Sequence, residues 1–258
     1  MSLAFFDIDG TLFAKPSLER RFFWSLQRQR KIPLRNYLAW LAELVHVSPR
    51  EIWMAVRANK MYLRGLSAKS WSEYVAHTHS ICLPQFFPAA LQRIWWHCLR
   101  GDAIVLVSGT LSPLAEITKF ALERELLWRG LEATVTVIAT QLEVCNGHWS
   151  GRVSGVPMFA ETKARTIREL ANARQIPLAQ CSAYGDSSLD RWMLAAVGHP
   201  FAVNPTRRMR RMVKLRGWQT LLWTHCPLRS AGEHRDSKLN VGKAFGVGTL
   251  PREDQSAP

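Results

Sequence analysis

Hydrophobic positions follow two different spacings along the chain, and the change between them marks its predicted organisation. Uninterrupted apolar runs at residues 3–6 and 103–107 are typical of buried parallel strands. Between these runs, apolar residues recur at helical spacing, beginning with Leu18, Phe22 and Leu26. Strands that alternate with helices favour a parallel sheet, so we predict an α/β fold with a Rossmann-like core and an inserted all-helical domain.

The same spacings set the predicted domain boundaries. Residues 1–13 and 101–228 form the core, and four or five helices within residues 14–100 form a cap over the strand ends. Residues 229–258 are rich in Gly, Ser and charge without a period, which predicts a disordered tail. A second apolar stripe within the cap comprises Leu34, Leu38, Leu41 and Val45.

Two local signals add detail to the second half of the core. Asn146-Gly147 lies between two short extended segments, and this dipeptide is typical of a β-hairpin turn. Residues 162–173 place Ile167 and Leu170 at helical spacing, which predicts an amphipathic helix. Both elements fit a sheet whose strands are joined by surface helices.

Length and composition favour a packed protein of the cytoplasm. The 258 residues are 47% hydrophobic, enough for one large domain or two smaller ones. Its five cysteines are scattered and form no CxxC pair, which fits a reducing compartment. The sequence has neither a secretory pattern nor an uncharged apolar stretch of about 18 residues, so we expect no transmembrane helix.

The positive charge is concentrated in the predicted cap. The chain has a net charge of +14, and residues 14–100 contain 14 basic but only 4 acidic side chains. Such a field attracts phosphorylated metabolites, nucleic acid or anionic lipid, although a solvated basic surface without a partner has the same composition. Charge therefore leaves the partner open.

Polar residues follow the predicted strands at the points where those strands end. Asp7 and Asp9 come directly after the first strand, a polar turn at 108–110 follows the second, and Gly185-Asp186 follows a later one. The carboxyl ends of parallel strands meet at one edge of a sheet, where ligands bind. Because no basic residue precedes Lys15, the two early carboxylates favour a bound divalent cation.

With these motifs in order, the sequence resembles the haloacid dehalogenase superfamily of phosphotransferases. The helical insertion directly after the first motif is similar to the phosphoserine-phosphatase-like group, subfamily IB. The resemblance covers roughly residues 3–225. It rests on four motifs, namely Asp7-Ile8-Asp9-Gly10-Thr11, Ser108-Gly109-Thr110, Lys163 and Gly185-Asp186-Ser187-Ser188-Leu189-Asp190.

The resemblance implies a catalytic role for each carboxylate of the first motif. Asp7 would be the nucleophile that forms an aspartyl-phosphate. Asp9 would protonate the leaving oxygen and then deprotonate the attacking water. An Asp in this second position favours hydrolysis, whereas transport ATPases of the superfamily carry Thr there.

The other motifs imply a magnesium site and a phosphate site. Mg²⁺ would bind Asp7, Asp186 and the main-chain carbonyl of Asp9, with Asp190 as an indirect or water-mediated ligand. We expect Asp186 and Asp190 to share one face of a helix start, because they lie four residues apart. The residues implied for phosphate binding are Ser108, Gly109, Thr110 and Lys163.

Several positions leave the substrate and one site residue open. Glu161-Thr162 precede Lys163 where the family usually has a small residue, so Arg165 is a nearby alternative. Leu189 stands where phosphoserine phosphatases usually have Asn, which weakens phosphoserine as the substrate. The cap residues at positions where family members reach the substrate are Glu19, Arg20 and Arg57.

We therefore predict a Mg²⁺-dependent phosphatase that acts on a phosphorylated small molecule. Three alternatives stay open: a phosphatase for phospholipid head groups at a membrane surface, a phosphotransferase or mutase, and a non-catalytic module that binds nucleic acid or a partner. We expect the tryptophans of the cap to fill its core. Together with the positive charge, they leave peripheral contact with anionic lipid as an open alternative. We interpret the basic residues within 207–216 as a solvated helix face, which disfavours nucleic acid. The oligomeric state stays open.

Overall fold

The computed structural model describes residues 2–45, 52–68 and 84–224. Within these ranges, a six-stranded parallel sheet and a two-stranded hairpin are accompanied by helices. The strands are β1 (Leu3–Phe6), β2 (Ala103–Leu111), β3 (Val135–Thr140), β4 (Leu142–Cys145), β5 (His148–Val153), β6 (Ser182–Gly185), β7 (His199–Val203) and β8 (Gln219–Leu221). The α-helices are α1 (Leu18–Arg28), α2 (Leu34–Val45), α3 (Ile52–Ala58), α4 (Pro88–Leu99), α5 (Ser112–Trp128), α6 (Glu161–Ala173), α7 (Arg191–Ala195) and α8 (Arg207–Arg216).

The sheet has the order β3-β2-β1-β6-β7-β8, and every neighbouring pair is parallel. Alternate residues of β1 face opposite sides: Phe6 belongs to one core cluster and Phe5 to the other. Both faces of the sheet are therefore buried, and the predicted α/β, Rossmann-like fold is confirmed. Because the chain order reverses at β1, the carboxyl ends of β1 and β6 form a crevice between neighbouring strands.

The second strand is longer than predicted. We expected it to end at Val107 and the next three residues to form a turn, but β2 continues to Leu111. Ser108 still pairs with Ala139 of β3, and the register shifts between Ser108 and Leu111. The predicted turn is wrong. A bulged strand can present polar side chains and still pair with the neighbouring strand, here β3.

The two predicted apolar stripes differ in their burial. The stripe of α1, which contains Leu18, Phe22 and Leu26, is buried as expected. Three leucines of the α2 stripe face solvent, with exposed fractions of 75% for Leu34, 61% for Leu38 and 53% for Leu41. The side chain of Val45 lies outside the described residues. Helical periodicity therefore predicted both helices but not which face of α2 is buried.

Paired linkers connect the inserted helices to the sheet. Phe13 on the outgoing segment forms an antiparallel bridge with Phe86 on the returning one. The Phe87 amide also donates to the Leu12 carbonyl oxygen at 2.9 Å. The returning chain then enters α4, which contacts β2 and α5. The division into a core and a cap at residues 14–100 stays a prediction, although α4 lies against the core.

The hairpin forms at the predicted turn and joins the helical region. Asn146 and Gly147 both have positive φ, at 50° and 76°, as a tight two-residue turn requires. On the outer side of β5, the Gly65 amide donates to the Trp149 carbonyl oxygen at 2.9 Å. The Trp149 amide donates to the Leu66 carbonyl oxygen, also at 2.9 Å. Residues 65–68 thus extend the hairpin as a third, irregular strand.

No helix in the described ranges is long and apolar enough to cross a membrane. The predicted tail at residues 229–258 lies outside the described residues.

Candidate functional site

Three buried carboxylates converge where β1 and β6 end. Asp7 follows β1 directly, Asp186 follows β6, and Asp190 lies four residues further on. One oxygen from each lies within 4.8 Å of the others. The Asp7 amide donates to the Tyr184 carbonyl oxygen at 2.9 Å, which continues the pairing of the two strands. Sheet pairing therefore sets the distance between the first two acids.

Lys163 lies between two of these acids. Its Nζ donates to Asp7 Oδ1 at 2.5 Å and to Asp190 Oδ1 at 2.7 Å, and its side chain is buried. Burial lowers the pKa of Lys163, but the Asp190 and Asp7 carboxylates outweigh this effect and raise it above its usual value. Lys163 is therefore a fixed positive charge at neutral pH.

The surroundings of Asp7 disfavour its charged form. Burial raises the pKa of Asp7, and the nearby Asp190 and Asp186 carboxylates raise it further. Lys163 opposes these effects without cancelling them. A cluster of three acids beside one buried lysine therefore favours a further cation.

Asp186 shows where such a cation is needed. Its Oδ2 is buried and has no hydrogen-bond partner among the described residues. Lys15 Nζ lies 2.7 Å from this oxygen as an ion pair, and the Lys15 side chain is 57% exposed. Burial, followed by the Asp190 charge, raises the pKa of Asp186 to about 6. The exposed Lys15 is thus the cation in direct contact with this oxygen, and the charge of Lys163 also acts on Asp186.

Gly10 keeps the space beside Asp186 open. Its φ is +87°, and a Cβ at this position would lie 2.6 Å from Asp186 Oδ2. Both the backbone conformation and the close approach require glycine. The first motif therefore requires glycine at position 10 because Asp186 of the last motif lies against it.

Asp190 reaches the cluster through a turn and not through a helix. α7 begins at Arg191, so the expected pairing of Asp186 and Asp190 on one helical face is wrong. Asp190 Oδ2 instead accepts from the Ser187 amide at 3.0 Å and from the Ser187 hydroxyl at 2.7 Å. These bonds close the turn and aim the other oxygen of Asp190 at Lys163.

The Asp9 side chain bonds to the start of α1 and does not belong to the group formed by Asp7, Asp186 and Asp190. Its Oδ1 accepts from the Leu18 amide at 2.7 Å, at the N-terminus of α1. Burial raises the pKa of Asp9 to about 6; the Leu18 amide lowers it and the Glu19 charge raises it. This carboxyl group can therefore exist in both protonation states near neutral pH, as an acid–base group must.

The polar end of β2 carries a second set of predicted residues. Ser108 is buried, and its Oγ accepts from the Thr110 amide at 3.3 Å. Thr110 Oγ1 is buried without a hydrogen-bond partner among the described residues. Thr140 Oγ1 donates to the Gly109 carbonyl oxygen at 2.9 Å, which fixes the bulge. An unsatisfied hydroxyl at a strand end is suited to a polar ligand.

The three predicted cap residues have different surroundings. Glu19 is adjacent to Leu18, and its Oε1 accepts from Lys60 Nζ and from the Tyr62 hydroxyl. The Arg20 guanidinium lies 4.8 Å over the Trp24 ring instead. Arg57 is exposed at the end of α3.

Sequence reasoning missed Lys60, Tyr62 and the ion pair of Lys15. Lys60 and Tyr62 follow no motif, so no signal in the sequence indicated that they meet Glu19. Lys15 had one signal, because it is the first basic residue after the two early carboxylates.

The donor set suits Mg²⁺. Carboxylate oxygens are its preferred protein ligands, and this site offers three buried carboxylates together with an oxygen that has no hydrogen bond. Asp7 and Asp186 are the side chains best placed to hold the ion, since Asp190 is committed to Lys163 and Ser187. Asp9 could contribute its backbone carbonyl, while Oδ1 of its side chain accepts from the Leu18 amide.

Comparisons with known proteins identify the family of this chain. Residues 4–195 match the model of the haloacid dehalogenase-like hydrolase family. A probable phosphatase of Mycobacterium tuberculosis (strain ATCC 25618 / H37Rv) is 33% identical over 227 residues, covering 84% of this chain and 74% of the relative. A phosphoserine phosphatase of the same strain is 27% identical over 227 residues, covering 84% of this chain and 69% of the relative.

Among solved structures, a protein of unknown function from Bordetella pertussis Tohama I has the same fold, with a TM-score of 0.67 and 22% identity. The match covers 85% of this chain and 97% of that protein. The family match and the phosphatase relatives together confirm the resemblance found in the sequence. This chain belongs to the haloacid dehalogenase-like hydrolases, and it is a phosphatase of the phosphoserine-phosphatase-like kind.

Proposed function

We propose that this phosphatase hydrolyses a phosphate monoester in two steps, with Asp7 as the nucleophile and Mg²⁺ as the cofactor. The observation that carries the proposal is the buried Asp7 carboxylate, which Lys163 orients at the crevice between β1 and β6. A nucleophile in phosphoryl transfer must be held in line with the phosphorus atom. Backbone pairing and Lys163 together provide that restraint.

In the first step, an Asp7 oxygen bonds to phosphorus and the bond from phosphorus to the leaving oxygen breaks. Asp9 gives its proton to that oxygen, which leaves as an alcohol. The raised pKa of Asp9, about 6, allows a useful protonated fraction near neutral pH. Lys163 offsets the charge that moves onto the phosphoryl group.

In the second step, water attacks the phosphorus of the aspartyl-phosphate. Asp9, now ionised, takes the proton of the water, while the bond from phosphorus to Asp7 breaks. Inorganic phosphate leaves and Asp7 returns as a carboxylate. The same Asp9 carboxyl group thus acts first as an acid and then as a base, and the proton balance closes.

Mg²⁺ would be held by Asp7 and Asp186, with the Asp9 carbonyl as a further ligand. When bound, the ion supplies positive charge that neutralises phosphate oxygens. Asp190 would act indirectly, because its two oxygens hold Lys163 and close the turn at Ser187. Ser108, Gly109 and Thr110 would contact the phosphate oxygens at the end of β2.

We propose a small leaving group that carries charge. Glu19, Lys60 and Tyr62 form a polar cluster whose first member is adjacent to Leu18, the residue that binds Asp9. Opposite charges held together can bind the charged groups of a metabolite. Phosphoserine is the first compound to test, since one relative carries that name, although Leu189 departs from the usual phosphoserine phosphatase pattern.

A screen of phosphorylated amino acids, sugars, nucleotides and lipid head groups tests the proposal. For the best substrate, Asp7→Asn should lower kcat at least about a thousandfold, because it removes the nucleophile. Glu169→Gln on α6 is the matched control, since the Glu169 side chain is 68% exposed and its ion-pair partner is Arg165 of the same helix. Wild-type activity in Asp7→Asn would show that the nucleophile is another residue.

Two further measurements separate the alternatives. Mass spectrometry of acid-quenched enzyme should find a phosphoryl group on the peptide that contains Asp7. Phosphate release should equal substrate consumption. A shortfall would indicate transfer to a second substrate and thus a phosphotransferase or mutase.

A further inference from the structure

The outer face of α2 is apolar and open to solvent. Leu34, Leu38 and Leu41 lie at positions i, i+4 and i+7, so they form one strip along the helix. Each of them exposes more than half of its surface. Three adjacent exposed leucines are unusual on a soluble surface and indicate an interaction site.

Contacts on the opposite face of α2 fix this orientation. The Asn36 side-chain amide is buried and donates to the Arg64 carbonyl oxygen at 2.8 Å. The Asn59 side-chain amide donates to the Trp40 carbonyl oxygen at 2.9 Å. These two bonds hold the inner face of α2, so the helix cannot rotate its leucines inward without breaking them.

A basic segment adjoins the N-terminal end of the leucine strip. No acidic residue occurs from residue 20 to residue 42. Trp24 on α1 is also partly exposed, and Arg20 lies over its ring. Four exposed cations occupy the end of α1, the connection and the start of α2: Arg28, Arg30, Lys31 and Arg35.

We propose that this face, hereafter the α2 surface, docks on an anionic phospholipid bilayer. The α2 surface consists of the three leucines and the four cations just named. An amphipathic helix with an apolar strip and a basic border lies in the headgroup region, where leucines reach acyl chains and cations reach anionic headgroups. The bilayer therefore complements both the leucines and the cations of the α2 surface.

Charge argues against two other occupants. A second copy of the chain would bring two identical basic segments together, because symmetric dimers pair the same patch. Nucleic acid would satisfy the cations but would leave the leucines without an apolar partner. The bilayer is the partner that offers negative charge and an apolar layer within one helix diameter.

The α2 surface is connected to the candidate site by α1. This helix begins at Leu18, whose amide binds Asp9, and its 11 residues span about 16 Å before Arg28. Docking therefore uses the far end of the helix that holds Asp9. Binding does not depend on the proposed chemistry, so Asp7→Asn should bind vesicles as tightly as the wild type.

Co-sedimentation of the full chain with vesicles tests the proposal. We expect binding to vesicles of phosphatidylcholine and phosphatidylglycerol, and at least tenfold weaker binding to phosphatidylcholine alone. The variant L34S/L38S/L41S should lose at least tenfold in affinity for anionic vesicles. The variant R28Q/R30Q/K31Q/R35Q should lose a similar factor and become insensitive to salt.

Two matched controls come from other helices. F120S/L127S removes exposed apolar residues from α5, where acids and bases are mixed. R207Q/R208Q/R210Q/R211Q removes four exposed cations from α8. Both should bind like the wild type.

The proposal fails if anionic vesicles do not bind the protein, or if the α8 control loses as much affinity as the α2 charge variant. It also fails if the leucine variant binds vesicles normally. A change of mass in solution with this variant, without a change in vesicle binding, would assign the surface to a second copy. Binding of nucleic acid that needs the cations but not the leucines would assign it to a polyanion.

Discussion

The Lys163 ammonium group touches Asp7 and Asp190 at once, and all three side chains are buried. A buried cation with two carboxylate partners is costly to remove, because its partners keep their charge without a counter-ion. This contact joins α6 to the sheet as well as to the site. Stability and chemistry therefore depend on the same lysine.

Lys163→Met should destabilise the protein by about 3–5 kcal/mol at pH 9.5, since two buried carboxylates lose their partner. The loss should be smaller at pH 5, because burial raises the pKa of Asp7 to about 8 and the protonated Asp7 carries no charge that needs the lysine. Urea unfolding at both pH values measures this. Lys214→Met on the exposed face of α8 is the control and should change stability by less than about 0.5 kcal/mol. An equal loss at both pH values would contradict the electrostatic explanation.

Asp186→Asn should stabilise the metal-free protein at pH 8. The pKa of Asp186 is about 6 in the folded protein, above the ordinary value of 3.8, so the folded state binds this proton more tightly than the unfolded state. Stability is therefore lost as the pH rises from about 4 to 6. Removing the charge should restore about 1–3 kcal/mol.

Thermal unfolding with a chelator measures the effect of Asp186→Asn, and repeating it with Mg²⁺ gives the second half of the test. The wild type should gain stability from Mg²⁺, more at pH 8 than at pH 5, because the acids are then ionised. The variant should gain much less. A metal-free variant that unfolds at a lower temperature than the wild type would disprove the expectation.

Lys15→Met should tighten Mg²⁺ binding by roughly two- to tenfold. Lys15 Nζ sits 2.7 Å from the Asp186 oxygen that has no hydrogen bond, so this ammonium group competes with the ion for it. The effect is limited because the lysine is exposed and screened by solvent. Isothermal titration calorimetry measures the affinity, and Lys214→Met corrects for the change in net charge. Weaker binding would show that Lys15 supports the metal site.

Gly10→Ala should destabilise the protein by about 3 kcal/mol or more and remove activity. About 1–2 kcal/mol of this comes from a side chain at positive φ. The rest comes from the clash of its Cβ with Asp186 Oδ2 at 2.6 Å. Gly130→Ala separates the two causes, because Gly130 also has positive φ, at +79°, but has no heavy atom near the position of a Cβ. Equal losses of stability in the two variants would show that the clash with Asp186 does not contribute.

The sequence predicted those features that local rules determine. The apolar run before Asp7 indicated a buried strand, and Asn146-Gly147 indicated the hairpin. The rule that ligands bind at the carboxyl ends of parallel strands put Asp7 and Asp186 at one edge, and the structure brings them together. These predictions succeeded because each depends on spacing within a few residues or on the order of strands.

Other features depend on contacts between distant segments. The meeting of Lys60 with Glu19 joins residues 41 positions apart and leaves no trace in periodicity. The direction of α2 follows from the bonds of Asn36 and Asn59, so an apolar stripe alone could not show that its leucines are outside. The extension of β2 past Val107 needed its partner β3. Contacts between distant segments determine these three features, because the local sequence is compatible with more than one arrangement.

The bridge between Phe13 and Phe86 constrains how the site can open. Both linkers to the inserted helices are joined there by backbone pairing, so they act as one two-stranded hinge. This pair of linkers bends more easily than its two strands slide past each other. Sliding would break the hydrogen bond from the Phe87 amide to the Leu12 carbonyl oxygen. The β4–β5 hairpin shares backbone bonds with residues 65–68 and must travel with them. A movement of residues 65–68 that opens the crevice would therefore carry the hairpin with it, although Ser67 and its bridge partner His148 are 148 − 67 = 81 positions apart in the sequence.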